Sequence, residues 1–172
     1  MSLNKAMEQL NTLIQIQDIK YQNNSLKYSS NGYLDIKYFG NETTKENEIN
    51  LNVEITKEIE SFKFNVMVNF SYINECSRCL NRVSNKDKAS FDRSFYEFSN
   101  NDYDINFEDD YVDLLPIISE IIINKMDFNK TCKKDCKGLC YICGKDQNHY
   151  ICSHKEKNVK ESPFSSLSEL DL

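Results

Sequence analysis

Seven cysteines and one histidine in this 172-residue chain fall at spacings that suit a soft metal ion. Cys76-Ser-Arg-Cys79 comes first. Much later follow Cys132-Lys-Lys-Asp-Cys136-Lys-Gly-Leu-Cys140-Tyr-Ile-Cys143-Gly144 and then Cys152-Ser-His154. These eight ligands suffice for two four-coordinate zinc ions. The expected distal site is Cys140, Cys143, Cys152 and His154, with Gly144 supplying a turn that a Cβ would obstruct. The expected proximal site joins Cys76 and Cys79 to Cys132 and Cys136. Other groupings stay open: Cys136 in place of Cys152 or His154, a free Cys132, His149 as a spare ligand, and one zinc ion instead of two.

The chemistry expected of these thiols is structural. A catalytic zinc keeps an open position beside an acid or base, whereas here the ligand inventory is full and both histidines lie beside the thiols. Thioredoxin-type redox work wants the pair at a helix N-terminus. Cys76-Ser-Arg-Cys79 instead runs into Asn81, Ser84 and Asn85, which do not read as a helix. No phosphate loop, dinucleotide fingerprint, zincin helix or nucleophile elbow is present. No catalytic residue is expected.

The elements that must position the thiols are mostly strands. Residues 3–13 suit a short helix through Leu3, Met7, Leu10 and Ile14. Beyond them the period becomes two: Leu34, Ile36, Tyr38; then Ile49, Leu51, Val53, Ile55; then Phe62 through Tyr72 without a break; then Ala89, Phe91, Phe95. Strands with one buried face suit an antiparallel sheet or partial barrel. Asn31-Gly32 and Gly40-Asn41 read as turns. The first cysteine pair then sits at a hairpin tip between two strands. Residues 97–110 read as an acidic loop. A helix over 112–126 presents Leu114, Ile117, Ile118, Ile121 and Ile122 on one face, with Asp110 or Asp113 to cap it and Pro116 in its first turn. The expected fold is α+β: a body over 1–128, covered by this C-terminal amphipathic helix, and a zinc-binding tail over 129–172 docked on the 76–79 tip. Residues 130–160 hold too few large apolar groups to order themselves, and a metal would supply what is missing. Phe164, Leu167 and Leu170 suit a brief amphipathic helix in the tail.

Composition sets the surroundings. Apolar residues make up 40%, there is no Trp, and ten Phe and ten Tyr supply much of the core volume. The start lacks an apolar segment, so no export signal is expected, and no stretch approaches the roughly 18 apolar residues of a membrane span. A cytoplasmic, reducing setting and the odd cysteine count argue against disulfides. The net charge is -6. Residues 97–120 carry eight acids and no Lys or Arg, whereas residues 125–160 carry nine Lys against four acids. A basic module of that kind suits anionic RNA or an acidic partner, although bound thiolates reduce its positive charge.

Together these motifs resemble the YceD family, the large ribosomal RNA subunit accumulation proteins. The likeness rests on Cys76-Ser-Arg-Cys79-Leu80 after a strand, the Val112-Asp113-Leu114 helix with Glu120, Cys136-Lys-Gly-Leu-Cys140-Tyr-Ile-Cys143-Gly144, Asn148, and Cys152-Ser-His154. It departs where Tyr141 replaces a proline, Asp146-Gln147 replaces Asn-Leu, and His154 replaces a last cysteine that it matches as a ligand. The resemblance implies a non-enzymatic part in accumulation or processing of large-subunit ribosomal RNA. Implied partners are that RNA or ribosomal and assembly proteins, with no small-molecule substrate. Arg78, Arg82, Lys133, Lys134, Lys137 and Lys145 are the candidate contacts. The alternatives are a zinc-stabilised protein adaptor without RNA contact, and a thiol redox or zinc-sensing protein.

Overall fold

Alternating apolar side chains dictate the architecture, because each long run can bury only one face. The computed structural model of the chain describes residues 8–21, 24–46, 48–97, 102–105, 107, 109–126 and 130–153. In chain order the elements are β1 (Leu13–Gln15), α1 (Gln17–Tyr21), β2 (Ser25–Gly32), β3 (Lys37–Tyr38), β4 (Asn41–Thr43), β5 (Ile49–Lys57), β6 (Ser61–Glu75) and β7 (Arg82–Tyr96). A one-turn helix at Asp102–Asp104, β8 (Tyr111–Asp113) and α2 (Leu115–Lys125) complete them.

Strand β6 organises the sheet. It pairs antiparallel with β7 without interruption from Ser61↔Tyr96 to Glu75↔Arg82. Its other edge takes β5, from Phe62 to Asn69, and then β4 at Tyr72 and Ile73. Strand β2 flanks β5 and β3 flanks β4. The sheet is open, and the barrel that alternation left as an option does not close. A second, two-stranded sheet pairs β1 with β8.

The core lies on one face. Phe62, Phe64, Val66, Val68, Phe70 and Tyr72 of β6 are buried there with Ile49, Leu51, Val53 and Ile55 of β5. The opposite face of β6 shows Lys63, Asn65, Met67 and Asn69 to solvent. The same buried cluster takes in Ile14, Ile16 and Ile19 from the N-terminal segment and Val112, Leu114, Ile117, Ile118 and Ile122 near the C-terminal helix. Each such burial is worth about 1.5–3 kcal/mol relative to exposure.

Several sequence expectations need correcting. The helix placed at 3–13 is absent from its described part: Gln9 bridges Tyr33 and Leu13 opens β1. Leu10, Thr12, Ile14 and Ile16 are buried at a period of two, and the i, i+4 pair Leu10 and Ile14 had fitted a helix equally well. Asn31-Gly32 does not turn but ends β2. Gly32 is required because a Cβ there would lie 2.6 Å from the Leu10 backbone nitrogen. The other turn is Phe39-Gly40, both at positive φ, closing a two-residue hairpin between β3 and β4. Residues 111–113 are strand, so the helix starts at Leu115, with Pro116 in its first turn. Leu114 occupies the cap position without a side-chain bond, and Asp113 one place earlier accepts the Leu115 N–H at 2.9 Å. The 164–170 segment and His154 lie outside the described residues. Among the described residues, no helix is long and apolar enough to cross a membrane.

Candidate metal centre

The long β6–β7 register ends at Glu75↔Arg82 and leaves residues 76–81 as the tip. The Cys76 N–H donates to the Asn81 carbonyl at 2.9 Å, and the Leu80 N–H donates to the Cys76 carbonyl at 2.9 Å. Leu80 is left-handed, with φ 61. This turns the Arg78 and Cys79 amides toward the Cys76 sulfur. The second cysteine pair repeats the arrangement. A Leu139↔Asp146 bridge flanks it, the Cys140 N–H donates to the Lys145 carbonyl at 2.8 Å, and the Gly144 N–H donates to the Cys140 carbonyl at 2.8 Å. Gly144 takes φ 69, and the Ile142 and Cys143 amides face the Cys140 sulfur. The chain therefore builds two copies of one knuckle, positioned alike within their hairpins.

Residues 130–139 bring the remaining thiols to the first knuckle. The Ser77 N–H donates to the Lys130 carbonyl at 3.1 Å, and the Leu139 N–H donates to the Arg78 carbonyl at 3.0 Å. Arg78 also donates its guanidinium to the Cys136 carbonyl at 3.1 Å. Gly138, at φ 74, permits the close approach, since a Cβ would stand 3.1 Å from the Arg78 carbonyl oxygen.

The thiols gather into two groups, Cys76, Cys79, Cys132 and Cys136 in one and Cys140, Cys143 and Cys152 in the other, with the ligand atoms of each group within 4.8 Å of one another. Sulfur separations are 3.8 Å for Cys76 and Cys136, 3.6 Å for Cys79 and Cys132, and 3.7 Å for Cys143 and Cys152. A tetrahedron with zinc–sulfur bonds of about 2.3 Å has edges of roughly 3.8 Å, so the thiols fit such an ion. All seven cysteines are free. Of the expected ligands, only His154 lies outside the described residues. His149 does not join the distal group; its Nε2 stands 3.8 Å from an Asp146 carboxylate oxygen.

Burial and N–H donors sort the thiols. Cys76, Cys79 and Cys136 form a buried cluster separate from the apolar core, with Cys132 against it. For Cys76, desolvation opposes ionisation, but the amides of Cys132, Arg78 and Cys79 outweigh it and lower the pKa to about 6. Cys136 is lowered first by the Asn148 side chain. Burial pushes Cys79 up, and burial followed by the Cys136 bond raises Cys132 to about 12. In the distal group, the Cys143 and Ile142 amides lower Cys140 to about 7, and burial raises Cys152 to about 11. Each group thus holds thiols prepared to ionise beside thiols that release protons only to a metal.

Among the described residues, a polar side-chain link joins the groups, and spacing alone did not single it out. Asn148 donates to Cys136 Sγ at 3.3 Å and accepts the Lys137 N–H at 3.0 Å. Asp146 anchors Asn148 through its backbone and side-chain N–H groups, at 2.8 and 2.6 Å, and accepts from Asn81 of the first tip at 2.7 Å. Its carboxyl is held below the usual range, chiefly by the Asn148 N–H.

The candidate basic contacts all lie at the surface. Arg78, Lys133, Lys134, Lys137 and Lys145 are exposed on or beside the knuckles. Lys145 sits 5.9 Å from the Tyr150 ring centre. Arg82 is paired with Glu42 at the base of the first tip.

Neither the curated proteins nor the solved structures contain a match to the chain. The family described as large ribosomal RNA subunit accumulation protein YceD matches residues 64–171, a span that contains the β6–β7 hairpin from Phe64 onward, both knuckles and all seven cysteines. With well over half its length matched and both thiol groups inside the match, the chain belongs to the YceD family.

Proposed function

We propose that this protein is a non-enzymatic, cytoplasmic ribosome-biogenesis factor that supports accumulation of large-subunit ribosomal RNA, with a structural zinc module at one end of a β-sheet body. The family match carries this reading, because its description names that RNA and no reaction. Zinc supplies no chemistry here beyond cross-linking thiolates and neutralising part of their charge. Its ligands are Cys76, Cys79, Cys132 and Cys136 at the proximal site, and Cys140, Cys143, Cys152 and His154 at the distal one. Support comes from the sulfur spacing and the converging N–H donors. Residues 129–172 act as a module docked on the first tip, in line with the bonds from Ser77, Arg78 and Asn81 to residues 130–146. The body over 1–128, with α2 as its cover, serves as the scaffold.

The test is genetic replacement of the chain by a Cys76→Ser, Cys136→Ser variant. The ratio of large- to small-subunit ribosomal RNA is expected to fall as it does on deletion. A normal ratio in the deletion strain would overturn the pathway. A normal ratio with the variant alone would overturn the role of the metal.

A further inference from the structure

The second knuckle exposes side chains that no metal site needs. Tyr141 is 78% exposed in the turn between Cys140 and Cys143, and Tyr150 is 60% exposed where the hairpin ends. Lys145 connects them: its carbonyl accepts the N–H of Cys140, next to Tyr141, and its ammonium lies against the Tyr150 ring. Large exposed rings cost free energy in water unless a partner covers them. The turn that carries Tyr141 is closed by the Gly144 and Lys145 backbone bonds, so its ring is presented on a fixed backbone. Ordering it on binding therefore costs little.

We propose that this knuckle is a docking site for unpaired RNA bases, with Tyr141 and Tyr150 as stacking platforms and Arg78, Lys137 and Lys145 as phosphate contacts. The inference rests on the ribosomal RNA reading above and names how the RNA is held. Charge complementarity selects the occupant. Over residues 130–153 the acids are Asp135 and Asp146, and the Asp146 carboxylate is occupied by Asn81 and Asn148. Lys133, Lys134, Lys137, Lys145 and Arg78 are exposed at the surface, above thiolates whose charge zinc partly neutralises. Exposed rings accompanied by a cation, as Tyr150 is by Lys145, match a single strand, whose bases offer flat faces and whose phosphates lie outside. A duplex hides its base faces and meets only the cations. The tyrosines read no sequence, because every base has a face to stack.

Fluorescence anisotropy tests this with the full zinc-loaded chain, a labelled unstructured RNA decamer and a duplex of the same length. Single-strand binding is expected to exceed duplex binding. Tyr141→Ala and Tyr150→Ala are each expected to weaken it roughly ten-fold, and Tyr→Phe to restore it. Neither alanine variant should alter zinc content or thermal unfolding, given the exposure of both rings. Lys145→Ala should reduce the slope of log affinity against log salt by about 0.7, whereas the tyrosine variants should leave that slope unchanged. Alanine variants that bind like the parent would overturn the proposal, as would equal affinity for the duplex. So would a ribosomal protein that the knuckle captures in nuclease-treated extract while the decamer does not bind. The two readings fail separately. Loss of tyrosine-dependent binding with ribosomal RNA still reduced on deletion removes this inference alone. Intact binding with normal ribosomal RNA on deletion removes the pathway alone.

Discussion

Asn148 ties the two thiol groups together through one side chain. Its amide N–H points at the Cys136 sulfur, and Asp146 fixes its orientation from within the second knuckle. An N–H donor stabilises a thiolate and so strengthens it as a ligand. Asn148→Ala is expected to weaken zinc at the proximal site by about 10–100-fold in competition against a chromophoric chelator. Superimposable competition curves would show that the bond carries no weight. The thiols themselves make a second prediction. Burial opposes ionisation of Cys76, yet amides that include Arg78 and Cys79 of its own tip lower it to about 6, so near pH 8 it reaches the metal as a thiolate. The Asn148 side chain also lowers Cys136. Cys79 is raised and Cys132 is raised to about 12, so both must give up protons on binding. Zinc binding to the proximal group at pH 8 should release fewer than four protons. The sign follows from competition: as pH falls through 6, Cys76 also becomes protonated, proton release rises and zinc affinity drops. A dye measurement showing four protons at pH 8 would contradict the donor geometry.

The two knuckles are equivalent as elements, yet they close differently. The first turns on Leu80 and the second on Gly144, both left-handed. Left-handed backbone costs a side-chain-bearing residue about 1–2 kcal/mol, and Leu80 shows that the turn tolerates it. A Cβ at Gly144 would meet nothing within 4 Å. Gly144→Ala should therefore cost only about 1 kcal/mol in thermal unfolding of the zinc-loaded chain. Gly138→Ala should cost more, because it adds a 3.1 Å contact with the Arg78 carbonyl to the same backbone strain. Equal losses would mean that the Gly138 approach is not tight. What the sequence disclosed follows the same logic. Strands β5 and β6 were legible because one face of each is apolar, and β7 because Ala89, Phe91 and Phe95 share one parity, although Asn85, Asp87 and Arg93 interrupt that face. Strand β2 was not, since its inward residues include only Leu26 and Tyr28 as sizeable apolar groups, and both are half-buried. Strands β1 and β8 are three residues each, too short to show a period, and Val112 was absorbed into the helix that follows. Cysteine spacing marked out the two thiol groups that the fold gathers, but nothing in residue type marks Leu80 as left-handed or Asn148 as a donor to sulfur. Those roles arise only when the first tip and residues 130–148 meet.

At the scale of the molecule, two interiors of different chemistry coexist. The sheet body buries a continuous apolar cluster, whereas the buried cluster at the tip consists of cysteines alone. The tip therefore has sulfur where a domain of that size would need hydrocarbon, and backbone ordering over 130–153 costs about 1–2 kcal/mol per residue. A bound structural zinc contributes roughly 10–16 kcal/mol near neutral pH, so the two proposed ions together would offset much of that cost. The body should have no such dependence, because Phe64, Val66 and Val68 are fully buried in a cluster that includes no cysteine. Removing metal with a strong chelator should then act on one part only. Amide exchange over 130–153 should lose protection, and trypsin should cut at Lys133, Lys134, Lys137 and Lys145. Protection over 49–73 should persist. The reciprocal experiment isolates the cause: Phe64→Ala removes a large buried side chain and should cost the body about 3–5 kcal/mol, lowering its unfolding temperature with zinc still bound. If chelation instead melts the sheet and the tip in one transition, the hairpin register from Ser61 to Glu75 transmits tip order into the core, and the metal governs the whole fold.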